Sequence, residues 1–191
     1  PLIHNVMNTD VVVGVSDHAT DDLDVLFNTP AGQKYLQERH GASAELIDAL
    51  THFGFSSICN VLAAIKTAKL LGYGANDAIV TIATDGGDLY PSERAKTLAS
   101  RFKGDFSDIN AAEVFNQHLG SVGTDNMIDC TERDRNRIFN LGYYTWVEQQ
   151  GTPLDIFEAR RSQSFWQSVR AFTPVWDGLV NEFNARVAAA K

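Results

Sequence analysis

The sequence is poor in the features that mark most specialised protein classes. It has only two cysteines, Cys59 and Cys130, neither in a CxxC nor at metal-ligand spacing from a histidine. One disulfide is the most the chain can form, and nothing in the spacing supports it. A reducing, cytoplasmic compartment is therefore the expectation. The five histidines, His4, His18, His40, His52 and His118, form no HxxxH or HExxH pattern, and no serine stands in GxSxG. Neither a metal site nor a hydrolase triad is signalled, and each histidine reads as a polar surface or loop residue. No run reaches the roughly 18 apolar residues of a membrane helix, and no signal peptide is present. Basic residues are scarce as well. Sixteen Lys and Arg stand against 24 Asp and Glu, for a net charge of −8 and a pI near 5.0. That balance argues against nucleic acid or an anionic membrane as partner, since both call for basic patches. The chain opens on Pro1 rather than Met, which reads as a cut, processed or fragment start.

What is present is ordinary globular material. Of 191 residues, 44% are hydrophobic and 21% charged, enough to bury a core. Val11–Val15 is a β-branched run that predicts a buried strand. The acidic stretch from Asp17 to Asp24 predicts a helix start, carboxylates being favoured there. Further helices are predicted over residues 33–40 and 43–53, the latter capped by Ser43. The clearest unit follows. Gly54-Phe55-Ser56-Ser57 is a small-residue turn, residues 58–71 a helix closed by Gly72, and Ala78–Thr84 (AIVTIAT) an apolar strand of the kind buried in parallel sheets. The turn Asp85-Gly86-Gly87-Asp88 leads to a helix opened by Pro91. Beyond residue 103 the pattern is helical: 109–119, 130–150 with a Thr131/Asp134 capping box, 154–172 and 175–190. Ala188 to Lys191 reads as a fraying tail. Only two strands are predicted, too few for a parallel sheet to cover both faces, so the remaining strands must come from elsewhere.

Two turns could carry chemistry. The Gly54–Ser57 turn runs into a helix N-terminus, which can hold a carboxylate or phosphate, or simply be a capped helix start. The Thr84-Asp85-Gly86-Gly87-Asp88 turn lies at a strand's C-terminal end, where α/β sheets bind ligands; it reads equally as a tight turn. Tyr143, Tyr144 and Trp146 read as packing residues.

Together these segments resemble a known family. Residues 3–17 (IHNVMNTDVVVGVSD), 54–71 (GFSSICNVLAAIKTAKLL) and 78–90 (AIVTIATDGGDLY) are similar, in sequence and order, to the C-terminal half of fold-type II pyridoxal-phosphate (PLP) enzymes. These are the cysteine synthase-like and tryptophan synthase beta-like proteins. The likeness spans roughly residues 1–102, and FNLGYYTWVEQQG at 139–151 resembles a less characterised lyase/synthase branch. The resemblance implies an α/β fold. Residues 1–102 would be part of the large domain, an incomplete parallel sheet with flanking helices, and 103–191 a helical C-terminal extension packing on it or on a partner. It implies PLP as cofactor, bordered by Gly54, Ser56 and Ser57, with Thr84, Asp85 or Gly86 at the pyridine nitrogen. By column the family's hydroxyl falls on Gly86, so either Thr84 or Asp85 would have to serve, or nothing does. The family's Schiff-base lysine and phosphate loop belong to its N-terminal half. No lysine here matches that motif, and Lys66 and Lys69 read as solvated. The expected activity is β-elimination or β-replacement on a small amino acid. It would be complete only with an N-terminal half in the same or a separate chain, in a homo-oligomer, and this chain alone would have no catalytic residue. The alternative is a non-catalytic interaction module whose exposed sheet edge recruits a partner or self-associates.

Overall fold

The structure, a computed structural model, describes residues 4–190. Pro1, the start of the 3–17 match and Lys191 of the alanine tail lie outside the described residues. The fold is mostly helical, with one small two-stranded antiparallel sheet of β1 (Val11–Val13) and β2 (Met127–Asp129). The predicted incomplete parallel sheet is absent among the described residues, and 78–84, predicted as a buried strand, is exposed and irregular. A strand is stabilised by neighbours on its edges and faces, and 78–84 has no neighbouring strand here. Among the described residues, no helix is long and apolar enough to cross a membrane.

Two compact units divide the chain, one spanning Val13–Ile128, the other made of residues up to 12 together with those from 129 onward. The predicted division at residue 102 thus falls inside the first of these. That unit holds α1 (Asp17–Asn28), α2 (Pro30–His40), α3 (Ala44–Thr51), α4 (Phe55–Leu71), α5 (Pro91–Phe102) and α6 (Asp108–Phe115). Ser16 caps α1, Thr29 caps α2 ahead of Pro30, and Ser43 caps α3. Gly41 and Gly72, both in the left-handed region, close α2 and α4.

Helix α1 is the hub, touching α2, α3, α4, α5 and α6. Leu23, Val25, Leu26 and Phe27 pack there with Leu36, Ile58, Leu62, Ala111 and Val114. Two of its acidic residues are buried with them. Asp22 is gripped by Arg101 through Nε at 2.5 Å and Nη2 at 2.6 Å, and shares a hydrogen bond with His118 Nε2 at 3.1 Å. Asp24, 0% exposed, takes Arg94 Nε at 2.8 Å and Nη2 at 2.9 Å. Both guanidiniums come from α5. The acidic stretch is therefore more than a helix start, because half of its carboxylates are internal ion pairs. His118, predicted at the surface, is buried as Asp22's second partner. Lys66, read as solvated, is buried too. Its ammonium donates to the Gly14 carbonyl at 3.0 Å, and Lys69 donates to the Val122 carbonyl.

In the other unit, α7 (Glu132–Tyr143) starts with the expected capping box of Thr131 and Asp134 and runs on as a π-helical turn, Tyr144–Gln149. Residues 154–172, read as one helix, form two: α8 (Leu154–Ala159) and α9 (Gln163–Ala171), the second capped by Ser162. Val6, Phe139 and Phe157 form a small core with Trp146 beside it, and the Arg160 guanidinium sits 5.2 Å from the Trp146 and Phe157 rings. Helix α10 (Thr173–Ala189) is exposed along its length.

Candidate functional site

All six candidate residues lie in the Val13–Ile128 unit, and the fold brings their two segments together. Helix α4 begins at Phe55 with Gly54 as N-cap, and no side chain of the cap position serves the free amides. A helix start leaves about four N–H groups without intrahelical partners. Here the Asp85 side chain, 28 residues away from Ser57, supplies the acceptor. Its Oδ2 receives the Ser56 amide at 3.2 Å and the Tyr90 hydroxyl at 2.7 Å. Its Oδ1 receives the Ser57 amide at 2.9 Å, with the Ser57 hydroxyl at 2.9 Å and that of Thr84 at 3.3 Å. The main chain repeats the link: Gly54 N–H donates to the Asp85 carbonyl at 3.1 Å, and Gly87 N–H to the His52 carbonyl at 3.0 Å. Phe53 and Gly86 form an antiparallel bridge, and the Phe55 and Tyr90 rings stack at 4.3 Å.

Close approach explains two of the glycines. A Cβ on Gly87 would collide with the Thr51 carbonyl oxygen, and one on Gly54 with the Asp85 carboxylate. Backbone of Thr51 and Phe53 is what approaches Gly87. The Gly87 carbonyl in turn accepts from Arg94 Nη2 at 3.2 Å, tying the turn to Asp24 in the core.

Electrostatics follow from these contacts. Burial pushes the Asp85 carboxyl up, but the Tyr90 and Ser57 hydroxyls and the Ser56 and Ser57 amides outweigh it and hold its pKa below the ordinary value. The same hydrogen bond to Asp85 raises the Tyr90 hydroxyl. Asp85 is thus an ionised carboxylate whose two oxygens take five donors, which fills its roughly four lone-pair sites. Thr84 and Ser56 are exposed beside it, Gly86 is half-buried, and Ser57 and Gly54 are buried.

The two joined turns make a shelf on which the Ser56 and Thr84 hydroxyls are exposed and Asp85 is filled by its own donors. No lysine and no phosphate-binding group is among the residues gathered here. The sequence pointed to all six positions but not to Tyr90, Arg94 and Asp24, which hold the shelf. Tyr90 ended the matched 78–90 segment, so its position was legible although its role was not. A cavity of about 680 Å³ lies away from the shelf between α2 and α6, lined by Lys34, Tyr35, Arg39, His40 and Ile109 among others. No known family, curated protein or solved structure matches the chain.

Proposed function

We propose that the chain is the C-terminal portion of a fold-type II PLP-dependent lyase or synthase. It would act on a small amino acid by β-elimination or β-replacement and supply one wall of the cofactor site. The observation that carries this reading is the joining of Gly54–Ser57 to Thr84–Gly86 by hydrogen bonds, since these are the two segments that resemble the family's cofactor-bordering turns.

Bound PLP supplies an electron sink for the carbon bearing the amino group. The part of this chain is to position and to present. Gly54, Ser56 and Ser57 would border the ring, and Thr84, Asp85 and Gly86 its nitrogen. With Asp85 filled, the exposed Thr84 hydroxyl would serve that nitrogen by turning away from its 3.3 Å bond to Asp85 Oδ1. A neutral partner there suits elimination or replacement at the β-carbon. A complementary N-terminal portion supplies the lysine and the phosphate loop, and the complete enzyme is a cytoplasmic homo-oligomer.

The test is optical. The chain is mixed with PLP alone and, separately, after co-expression with its complementary portion. The proposal expects a lysine-bound cofactor band near the visible edge only in the completed form. A completed form without the band ends the enzyme reading. A stable band from this chain alone shows that one of its own lysines binds the cofactor. The closed Asp85 lock also suits the second reading, a module that keeps the scaffold without the chemistry, and the same spectrum separates the two.

A further inference from the structure

We propose that the pocket beside Arg160 binds a small organic monocarboxylate with an apolar body. The pocket has a volume of about 380 Å³ and lies in the unit made of residues up to 12 and from 129 onward. Its walls include Val6, Ile138, Phe139 and Leu141, and among the described residues its polar side chains are those of His4 and Arg160. Small-molecule sites are built in this way, concave and mostly apolar, with a few polar groups to orient the ligand.

The Arg160 guanidinium has a need that the described residues leave unmet. Its Nη1 is sealed from solvent without a hydrogen-bond partner. Burial alone, with no carboxylate to oppose it, lowers its pKa from the ordinary arginine value. The Phe139, Trp146 and Phe157 rings lie 5.3, 5.2 and 5.2 Å from its central carbon. Rings attract a cation through their faces but offer no lone pair to its N–H groups. Arg161 shows the contrast. Its Nε donates to Glu158 at 2.6 Å, its Nη1 to Asn136 at 2.6 Å and its Nη2 to Asn140 at 3.0 Å. The acidic residue nearest to Arg160 in sequence is therefore already engaged.

A buried polar group without a partner is rare, and a buried charge without one is costly. An anion supplied from outside removes the charge imbalance. One guanidinium balances one negative charge, and apolar walls cannot hydrate a second, so a carboxylate fits where a dianionic phosphate does not. With Nη1 sealed, the Nε–Nη2 edge of the planar fork is the one a carboxylate can take in two parallel bonds. The walls then call for apolar atoms behind the carboxylate rather than a bare ion. The pocket belongs to a different unit from the Gly54–Asp85 shelf, and its ligand does not depend on the enzyme reading.

Titration calorimetry of the chain with 3-phenylpropionate tests the site. One site is expected, with a Kd below about 1 mM. 3-Phenylpropanamide, which lacks the charge, and propionate, which lacks the body, are each expected to bind at least about tenfold more weakly. Arg160→Gln should weaken the carboxylate by about tenfold or more, with a urea midpoint equal to or above that of the native chain, because the charge it removes has no partner to lose. Leu141→Glu sets a negative charge at a wall residue that is 75% exposed, so the fold is spared. It should weaken the carboxylate about tenfold and leave the amide unchanged, and it decides the matter if Arg160→Gln does not fold. Equal affinity for carboxylate and amide overturns the proposal. So does a folded Arg160→Gln chain or a Leu141→Glu chain that binds the carboxylate as tightly as the native one, or the absence of carboxylate binding up to about 10 mM.

Discussion

Helix α1 and the 78–84 segment invert the usual distribution of polar and apolar groups within one compact unit. Asp22 and Asp24 of α1 are charged and buried, at 2% and 0% exposure. Val80 and Ile82 are apolar and exposed. The difference shows which side of this unit is self-sufficient. Each buried carboxylate has its own guanidinium from α5, so the helical side closes its electrostatics locally. Among the described residues the 78–84 backbone makes no backbone–backbone hydrogen bond, and Asn60 meets only its Ile82 carbonyl, at 2.9 Å. A buried charge survives because its partner is present, and an exposed apolar run keeps the contact with water that burial would remove.

Four predictions would break or sharpen that contrast. The largest effect is expected from Asp22→Ala, which strands Arg101 and the buried His118 without their acceptor. It should cost about 3–5 kcal/mol in urea unfolding of the Val13–Ile128 unit. A loss near zero would mean the pair is only a surface contact. Leu26→Ala comes next, removing a fully buried side chain from the α1 hub, at about 3 kcal/mol by the same assay. Asp85→Asn should cost about 1 kcal/mol, as for a lost helix cap, and speed amide exchange at Ser56 and Ser57 while leaving α1 unchanged. The smallest effect is expected at Val80→Ala, within about 0.5 kcal/mol in the chain alone, because the side chain has nothing to lose. A cost comparable to that of Leu26→Ala would contradict the exposed placement.

The same residues set the response to pH. Asp85 has a depressed folded pKa. It therefore contributes stability that is present above the ordinary unfolded carboxylate value and lost as pH falls through the folded one. Burial raises the Asp22 carboxyl, yet His118 and Arg101 outweigh it and leave the pKa lowered, so its sign is the same. Asp24 runs the other way. Burial dominates over Arg94 and raises its pKa, so its contribution is present below the unfolded value and fades as pH rises through the folded one. Urea midpoints followed from neutral pH to below about pH 4 should fall, and Asp85→Asn should flatten part of that slope.

Much of the local structure was legible because its causes are local. Ser43, the Thr131/Asp134 box, the left-handed Gly72 and the helix start at Pro91 each act within a few residues. The two turns of the candidate site were legible by their glycines and small residues. Three things were not. The 78–84 run has strand composition, but a strand exists only when another pairs with it. The burial of Asp22 and Asp24 depends on Arg101 and Arg94, 79 and 70 residues further on. The saturation of Asp85 depends on amides 28 and 29 residues earlier, so its side chain reads from sequence as an open ligand and stands in the fold as a closed cap.

Site-resolved amide exchange on the chain alone tests the contrast most directly. Amides of residues 79–84 are expected to exchange within about tenfold of unstructured peptide rates, while those of Leu23–Phe27 in α1 are the slowest of the unit. Protection of 79–84 equal to that of α1 would show that the segment already has its partners, and would contradict the account.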